Sequence, residues 1–91
     1  MGIFHVCPLT NESAALDAAV KAAFQSHDQY PLKAKAGWLL KFDGTSKELG
    51  EKLGLGEENN TTNTPCLITS ISGYWGRGPS DMWEWLKTRW A

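Results

Sequence analysis

Apolar residues recur along the chain at the spacings that are typical of strands and of helices. The run Ile3–Leu9 is short, apolar and interrupted by Pro8, which predicts a buried strand. Within residues 38–42 the side chains alternate between the two faces of an extended chain, again as in a strand. Residues 65–72 form another apolar run of strand length. We therefore expect strands at these three positions.

A further extended segment is predicted over residues 30–36, because Pro31 disfavours helix at the residue before it. Gly37 separates this segment from the strand at residues 38–42, and we expect it to mark a bulge or a tight bend. The middle of the chain is therefore expected to contribute two strands.

Helical spacing of apolar residues predicts a first helix between the strand at Ile3–Leu9 and the extended segment. Thr10 or Asn11 is expected to be its N-cap, with Glu12 in the first turn. We expect this helix to end near residues 26–28.

A second helix is predicted after the strand at residues 38–42. Thr45 and Glu48 have the spacing of a capping box, in which each side chain accepts a hydrogen bond from the other residue's backbone N–H. Gly54 or Gly56 is expected to end the helix. The polar residues 57–64 are then expected to form a loop.

The predicted order is strand, helix, two strands, helix, strand and a final helix. We expect an α+β fold of the ferredoxin-like type, in which a βαββαβ unit builds an antiparallel sheet with two helices on one face. The final helix is additional, and it is expected either to cover an open region of the sheet or to form a dimer contact. The length of 91 residues suits a single domain, residues 1–91. One core is expected to unite Leu16, Val20, Trp38, Leu40, Phe42, Leu49 and Ile68.

Composition and charge narrow the function classes. The chain is 42% hydrophobic and 21% charged, with a net charge of −1, so it provides no broad basic surface and nucleic acid is not favoured as a partner. No apolar run approaches the roughly 20 residues of a membrane span. The first residues also lack the features of a signal peptide. We therefore expect a cytoplasmic protein that does not enter a membrane.

The two cysteines, Cys7 and Cys66, lack the spacing of a metal site. Each falls in a predicted strand, and we interpret both as small buried apolar residues. A disulfide between them requires neighbouring strands, and a reducing cytosol disfavours it. We expect no metal, no cofactor and no catalytic cluster.

Four of the five tryptophans lie within the last seventeen residues, on or beside the glycine-rich segment 73–79, which is predicted to be a loop before the final helix. Tryptophan is enriched at protein interfaces, and an arginine guanidinium suits carboxylate or phosphate groups. Trp83 and Trp85 are separated by about 200° around the helix, so one side can pack inward while the other stays available. The candidate interface residues are Tyr74, Trp75, Arg77, Trp83, Trp85, Arg89 and Trp90.

A pattern across residues 30–80 resembles a known family. Its parts are Gly37–Asp43, a helix from Ser46 to Leu53, the strand Leu67–Gly73, and then Trp75 and Gly76. The pattern resembles the small SinR-like bacterial proteins, which are related in fold to the ferredoxin-like CRISPR-associated endonuclease subunit. The resemblance implies the ferredoxin-like fold and a tendency to form homodimers through sheet edges.

The endonuclease relatives carry an aspartate at the end of the first strand, where it can hold a divalent metal. In this chain Pro8 stands at the corresponding position and offers no oxygen ligand. We therefore do not expect metal-dependent cleavage of nucleic acid by that route.

Three functions remain open at this point. The first is a non-enzymatic interaction or regulatory module of a bacterium or phage, homodimeric, which binds a protein partner through the tryptophan-rich C-terminal region. The second is a diverged endoribonuclease that works without metal through His5, His27 or Arg77. The third is a nucleotide-binding sensor whose glycine-rich loop, residues 73–79, holds phosphate through backbone N–H groups.

Overall fold

The computed structural model describes residues 2–33, 36–56 and 61–90, and one antiparallel sheet of four strands organises them. The strands, in the spatial order β2-β3-β1-β4, are β1 (Gly2–Pro8), β2 (Gln29–Pro31), β3 (Trp38–Phe42) and β4 (Cys66–Ile71). The helices are α1 (Ala14–Ala23), α2 (Ser46–Lys52) and α3 (Ser80–Arg89), with one 3₁₀ turn at Ser26–Asp28. The predicted α+β class with an antiparallel sheet is confirmed. No helix in the described ranges is long and apolar enough to cross a bilayer.

The period-two alternation of β1 and β3 gives the sheet two apolar faces, and the helices divide between them. Phe4 and Val6 of β1 point to the face that α1 and α2 cover. Ile3 of β1 and Leu39 of β3 point to the opposite face, where they contact α3. The fold therefore has three layers, and the final helix covers part of the second sheet face.

The main core lies between the sheet and the first two helices, as the periodicity predicted. Its buried members include Leu40, Leu16, Val20 and Leu49, and Phe42 and Ile68 pack against it from partly exposed positions. The capping box is also confirmed: Glu48 N–H donates to Thr45 Oγ1 at 3.1 Å, and Thr45 N–H donates to Glu48 Oε1 at 3.0 Å. Gly54, with φ +79°, follows this helix as expected.

The first helix is shorter than predicted at both ends. Neither Thr10 nor Asn11 is its N-cap, which is Ser13. The Thr10 hydroxyl instead accepts a hydrogen bond from Glu12 N–H, a local turn that competes with helix. At the other end the backbone turns extended at Phe24 rather than near residues 26–28, and the Phe24 ring enters the core edge-on to Phe42.

Gly37 forms the tight bend that the sequence predicts before β3. Its φ is +95°, and a Cβ at this position would lie 1.8 Å from the carbonyl oxygen of Val6. Leu32 N–H donates to the Gly37 carbonyl at 2.8 Å, which closes the connection between β2 and β3. The strand before the bend is only three residues long. Residues 34 and 35 of the predicted extended segment, and residues 57–60 of the predicted loop, lie outside the described residues.

The two cysteines lie on neighbouring strands but on opposite faces of the sheet. Cys7 is paired with Leu67, whereas Cys66 is paired with Pro8 one position along. Directly paired residues share a face, so the two thiols point apart, and both are free. Both are half-buried rather than buried, which corrects the sequence-based expectation.

Candidate interaction surface

The C-terminal tail divides into a helix face that is anchored to the sheet and an aromatic surface that remains accessible. α3 is ten residues long, and its buried members are Trp85 and Leu86. They pack with Ile3 and Leu39 of the sheet, and this packing explains why this face of the helix is apolar.

Polar contacts fix α3 to the segment between α1 and β2. The Trp85 indole N–H donates to the backbone carbonyl of His27 at 3.2 Å, and Arg89 Nε donates to the same carbonyl. The Arg89 guanidinium also lies over the Trp85 ring, 5.0 Å from its centroid. Trp85 and Arg89, both candidate interface residues, therefore hold the helix in place within this chain.

A second polar contact holds the start of α3. The Tyr30 hydroxyl donates to Asp81 Oδ2 at 2.9 Å, and the Tyr30 ring lies 6.2 Å from that of Trp85. Desolvation, followed by the hydrogen bond to Asp81 and the charge of that carboxylate, raises the pKa of Tyr30 above its ordinary value of 10.0. Tyr30 and the His27 carbonyl thus add polar contacts to the apolar surface of Ile3 and Leu39 on which α3 packs.

Three aromatic side chains form a cluster on the outer part of the tail. Tyr74 stacks on Trp83 with ring centroids 5.8 Å apart, and it meets Trp90 edge to face at 5.0 Å. The Trp83 indole N–H donates to the Gly78 carbonyl at 3.2 Å, which ties the loop to the helix. We call Tyr74, Trp83 and Trp90 the aromatic cluster. Tyr74 is 43% exposed and Trp90 39% exposed, so the cluster remains accessible to a partner.

Trp75 projects from the loop next to this cluster and is 96% exposed. Residues 72–79 are all exposed, and a Cβ added at Gly73 or at Gly76 would meet no atom within 4 Å. Arg77, in the same loop, makes no hydrogen bond or ion pair with any described residue. The loop therefore presents one large apolar side chain and one guanidinium to solvent.

The residues of the alternative functions are not brought together. The His5 ring nitrogen Nε2 lies 2.7 Å from the Ala36 carbonyl oxygen, and the His27 ring lies 3.6 Å from the Asp28 carboxylate. No contact among the described residues joins either histidine to the other or to Arg77. His27 lies in the 3₁₀ turn, and not at the end of α1, which was expected near residues 26–28.

The glycine-rich loop leads into a helix whose first turn already carries a carboxylate, that of Asp81. This negative charge lies near the helix N-terminus, where it disfavours the approach of a second anion such as a phosphate. Among the described residues, no group of three or more His, Cys, Asp or Glu side chains has an arrangement that could hold a metal ion.

Part of this arrangement has no signature in the sequence. The role of Tyr30 and of the His27 carbonyl depends on contacts between residues 51 to 62 positions apart, which no local spacing encodes. The amphipathic pattern of α3 signals that the helix must be covered, but it does not say by which surface.

Comparisons with protein-family models, with curated protein sequences and with solved structures found no match to this chain.

Proposed function

We propose that this protein is a small, homodimeric interaction or regulatory module, which binds a protein partner through the aromatic cluster and Trp75. The observation that carries the proposal is the 96% exposure of Trp75 beside a stacked aromatic cluster. Tryptophan is a frequent hot-spot residue in protein interfaces, and exposing it to solvent has no benefit for the isolated fold.

The two halves of the tail have different roles in this proposal. Trp85 and Arg89 position α3, whereas Tyr74, Trp75, Trp83 and Trp90 provide the contact surface. Arg77 lies on the same exposed loop and is suited to pair with a carboxylate of the partner, because its five N–H donors match a carboxylate bidentately.

We further infer that the fold is ferredoxin-like and that the SinR-like proteins are its relatives. The element order βαββαβ followed by a helix and the strand order β2-β3-β1-β4 support this assignment. A cytoplasmic location in a bacterium or phage belongs to the same proposal.

Site-specific photo-crosslinking tests the partner-binding role without knowledge of the partner. A photo-reactive phenylalanine derivative is placed at Trp75, and at Ala18 as the control, since Ala18 is an exposed residue on α1 in the opposite layer of the fold. In the cell of origin, we expect position 75 to give discrete covalent adducts that position 18 does not give. Adducts with another protein support the proposed partner, and adducts with the chain itself alone reduce the surface to a self-association site.

The absence of any adduct at position 75 above the level at position 18 would contradict the proposal. For a captured partner, Trp75→Ala is expected to weaken binding by about 2 kcal/mol or more, or roughly thirtyfold in Kd. Ala18→Ser is the matched control and should leave Kd unchanged.

A further inference from the structure

β4 is an edge strand whose outer side is unpaired. In the sheet order β2-β3-β1-β4 it pairs only with β1, from Cys66 opposite Pro8 to Ile71 opposite Ile3. No other strand of the described residues pairs with it. An exposed strand edge is a row of backbone donors and acceptors that can add another strand.

The hydrogen-bond phase of β4 identifies which of its backbone groups face outward. Leu9 N–H donates to the Pro65 carbonyl at 2.8 Å, so position 65 points its carbonyl towards β1. In an antiparallel pair the direction alternates from residue to residue. Positions 67, 69 and 71 therefore also point inward, whereas the N–H and C=O groups of Cys66, Ile68 and Ser70 point away from the sheet.

The two edges of the sheet differ in how they are protected against pairing. The outer strand at the other edge, β2, has three residues and ends at Pro31, which has no N–H to donate. β4 has six residues, Cys66–Ile71, with no charged residue and no proline among them. Charges, proline and short length are the usual devices that keep an edge strand from pairing, and β4 lacks all three.

We propose that the outer edge of β4 pairs antiparallel with β4 of a second copy of this chain, around a two-fold axis at Ile68, to make one continuous eight-stranded sheet. The inference rests on the homodimer of the proposed function and specifies where it forms. Ile68 then faces Ile68 of the other copy, and Cys66 faces Ser70. The three outward residues of each strand supply about six hydrogen bonds across the axis.

A second copy fits this edge because the edge is complementary to itself. The outward positions 66, 68 and 70 are symmetric about Ile68, as a two-fold axis requires. No charged side chain lies in the strand, so identical residues can approach without repulsion. On the face opposite α1 and α2, the register places Leu67 of one copy against Thr69 of the other.

The same register brings two exposed apolar side chains to the new interface. Leu67, which is 55% exposed, lies within the pairing itself. Leu9, which is 65% exposed, neighbours Pro65, and the register places Pro65 opposite Ile71 of the other copy. The pairing therefore covers Leu67 and borders Leu9, and it does not use Trp75, which the proposed function assigns to a protein partner.

Sedimentation equilibrium of purified Ser70→Pro and Ser70→Ala tests the pairing. Proline at position 70 removes an outward N–H and leaves the bonds to β1 intact, whereas alanine retains that N–H. We expect a wild-type dimer of twice 10.1 kDa, at least tenfold weaker self-association for Ser70→Pro, and no change for Ser70→Ala.

A disulfide tests the register independently. It also tests the β4 pairing if circular dichroism shows that Ser70→Pro is not folded. In Ser70→Cys, the new thiol lies opposite the native Cys66 of the other copy, at the Cα separation of about 5.5 Å that a disulfide accepts. Ser72→Cys, two positions further along, is the control. We expect oxidation to give a covalent dimer for Ser70→Cys and none for Ser72→Cys.

The possible failures of this test are distinct. A wild-type protein that is monomeric at all concentrations overturns both the homodimer and the β4 pairing. The β4 pairing alone is overturned if the wild type is a dimer but Ser70→Cys forms no disulfide and Ser70→Pro does not dissociate. If Trp75→Ala dissociates that dimer, the copies associate through the aromatic surface instead.

Discussion

Replacing Trp85 with alanine should destabilise the protein strongly, whereas replacing Trp75 should not. Trp85 is 8% exposed, packs on the sheet, and donates its indole N–H to the His27 carbonyl. Truncation of a buried tryptophan costs about 3–5 kcal/mol. We expect a cost at the lower end of this range, about 3 kcal/mol, for two reasons. α3 lies at the surface and can relax into the space that the indole leaves, and Arg89 still donates to the His27 carbonyl.

Trp75 is the matched control, since it is the same residue type in the same tail but is almost fully exposed. Trp75→Ala should change the free energy of unfolding by no more than about 0.5 kcal/mol. Trp85→Phe retains an aromatic ring but loses the N–H donor and one of the two fused rings. It should therefore cost about 1 kcal/mol for the hydrogen bond in addition to the lost packing.

Thermal and urea unfolding followed by far-ultraviolet circular dichroism measure these differences without relying on tryptophan fluorescence. In a domain of this size, 3 kcal/mol corresponds to a fall in Tm of about 12–24 °C. The measurements belong at dilute protein, where self-association does not contribute to stability. Equal losses for Trp85→Ala and Trp75→Ala, or a loss below 1 kcal/mol for Trp85→Ala, would refute the division of the tail into anchor and surface.

Three further predictions follow from the core and from two titratable groups. Leu40→Ala should lower the free energy of unfolding by about 2–5 kcal/mol because Leu40 is fully buried, and Ile68→Ala should lower it less because Ile68 is half-buried. A loss under 1 kcal/mol for Leu40→Ala in urea unfolding would contradict the placement of Leu40 in the core. The pKa of Tyr30 is raised, so its contact with Asp81 stabilises the fold below pH 10 and this stabilisation is lost as the pH rises further. The Tm difference between wild type and Tyr30→Phe should therefore shrink above pH 10. An equal difference at pH 8 and pH 11 would count against the contact. Burial, and to a smaller extent the charge of Cys7, raises the pKa of the Cys66 thiol. Because the thiolate is the form that reacts, Cys66 should be alkylated more slowly at pH 8 in the folded protein than in urea. Equal alkylation rates by mass spectrometry would refute the raised pKa.

The sequence predicted those parts of the fold that local spacing determines. The alternation in β3 and the capping box of Thr45 and Glu48 depend on residues close together in the chain, and both are confirmed. The bend at Gly37 is also confirmed, although the close approach to Val6 that requires glycine there is a tertiary contact. The predicted end of α1 was wrong. The backbone is already extended at Phe24, whose ring contacts that of Phe42, and local spacing does not encode such a tertiary contact.

The candidate surface was predictable in composition but not in arrangement. The sequence placed all four tail tryptophans near one loop, but it could not assign Trp85 to the sheet and Trp75 to solvent, because that choice depends on which sheet face α3 covers. The apolar residues Ile3 and Leu39 determine the choice, and they lie far from the tail in sequence.

Hydroxyl-radical footprinting of the five tryptophans, read by mass spectrometry with and without the partner captured by crosslinking, tests the central claim most directly. In the protein alone, Trp75 should be oxidised fastest and Trp90 next, while Trp85 and Trp38 are protected. When the partner is added, Trp75 should become protected while Trp85 stays unchanged. Oxidation of Trp85 as fast as that of Trp75 in the protein alone, or a Trp75 that reacts equally with and without the partner, would contradict the account.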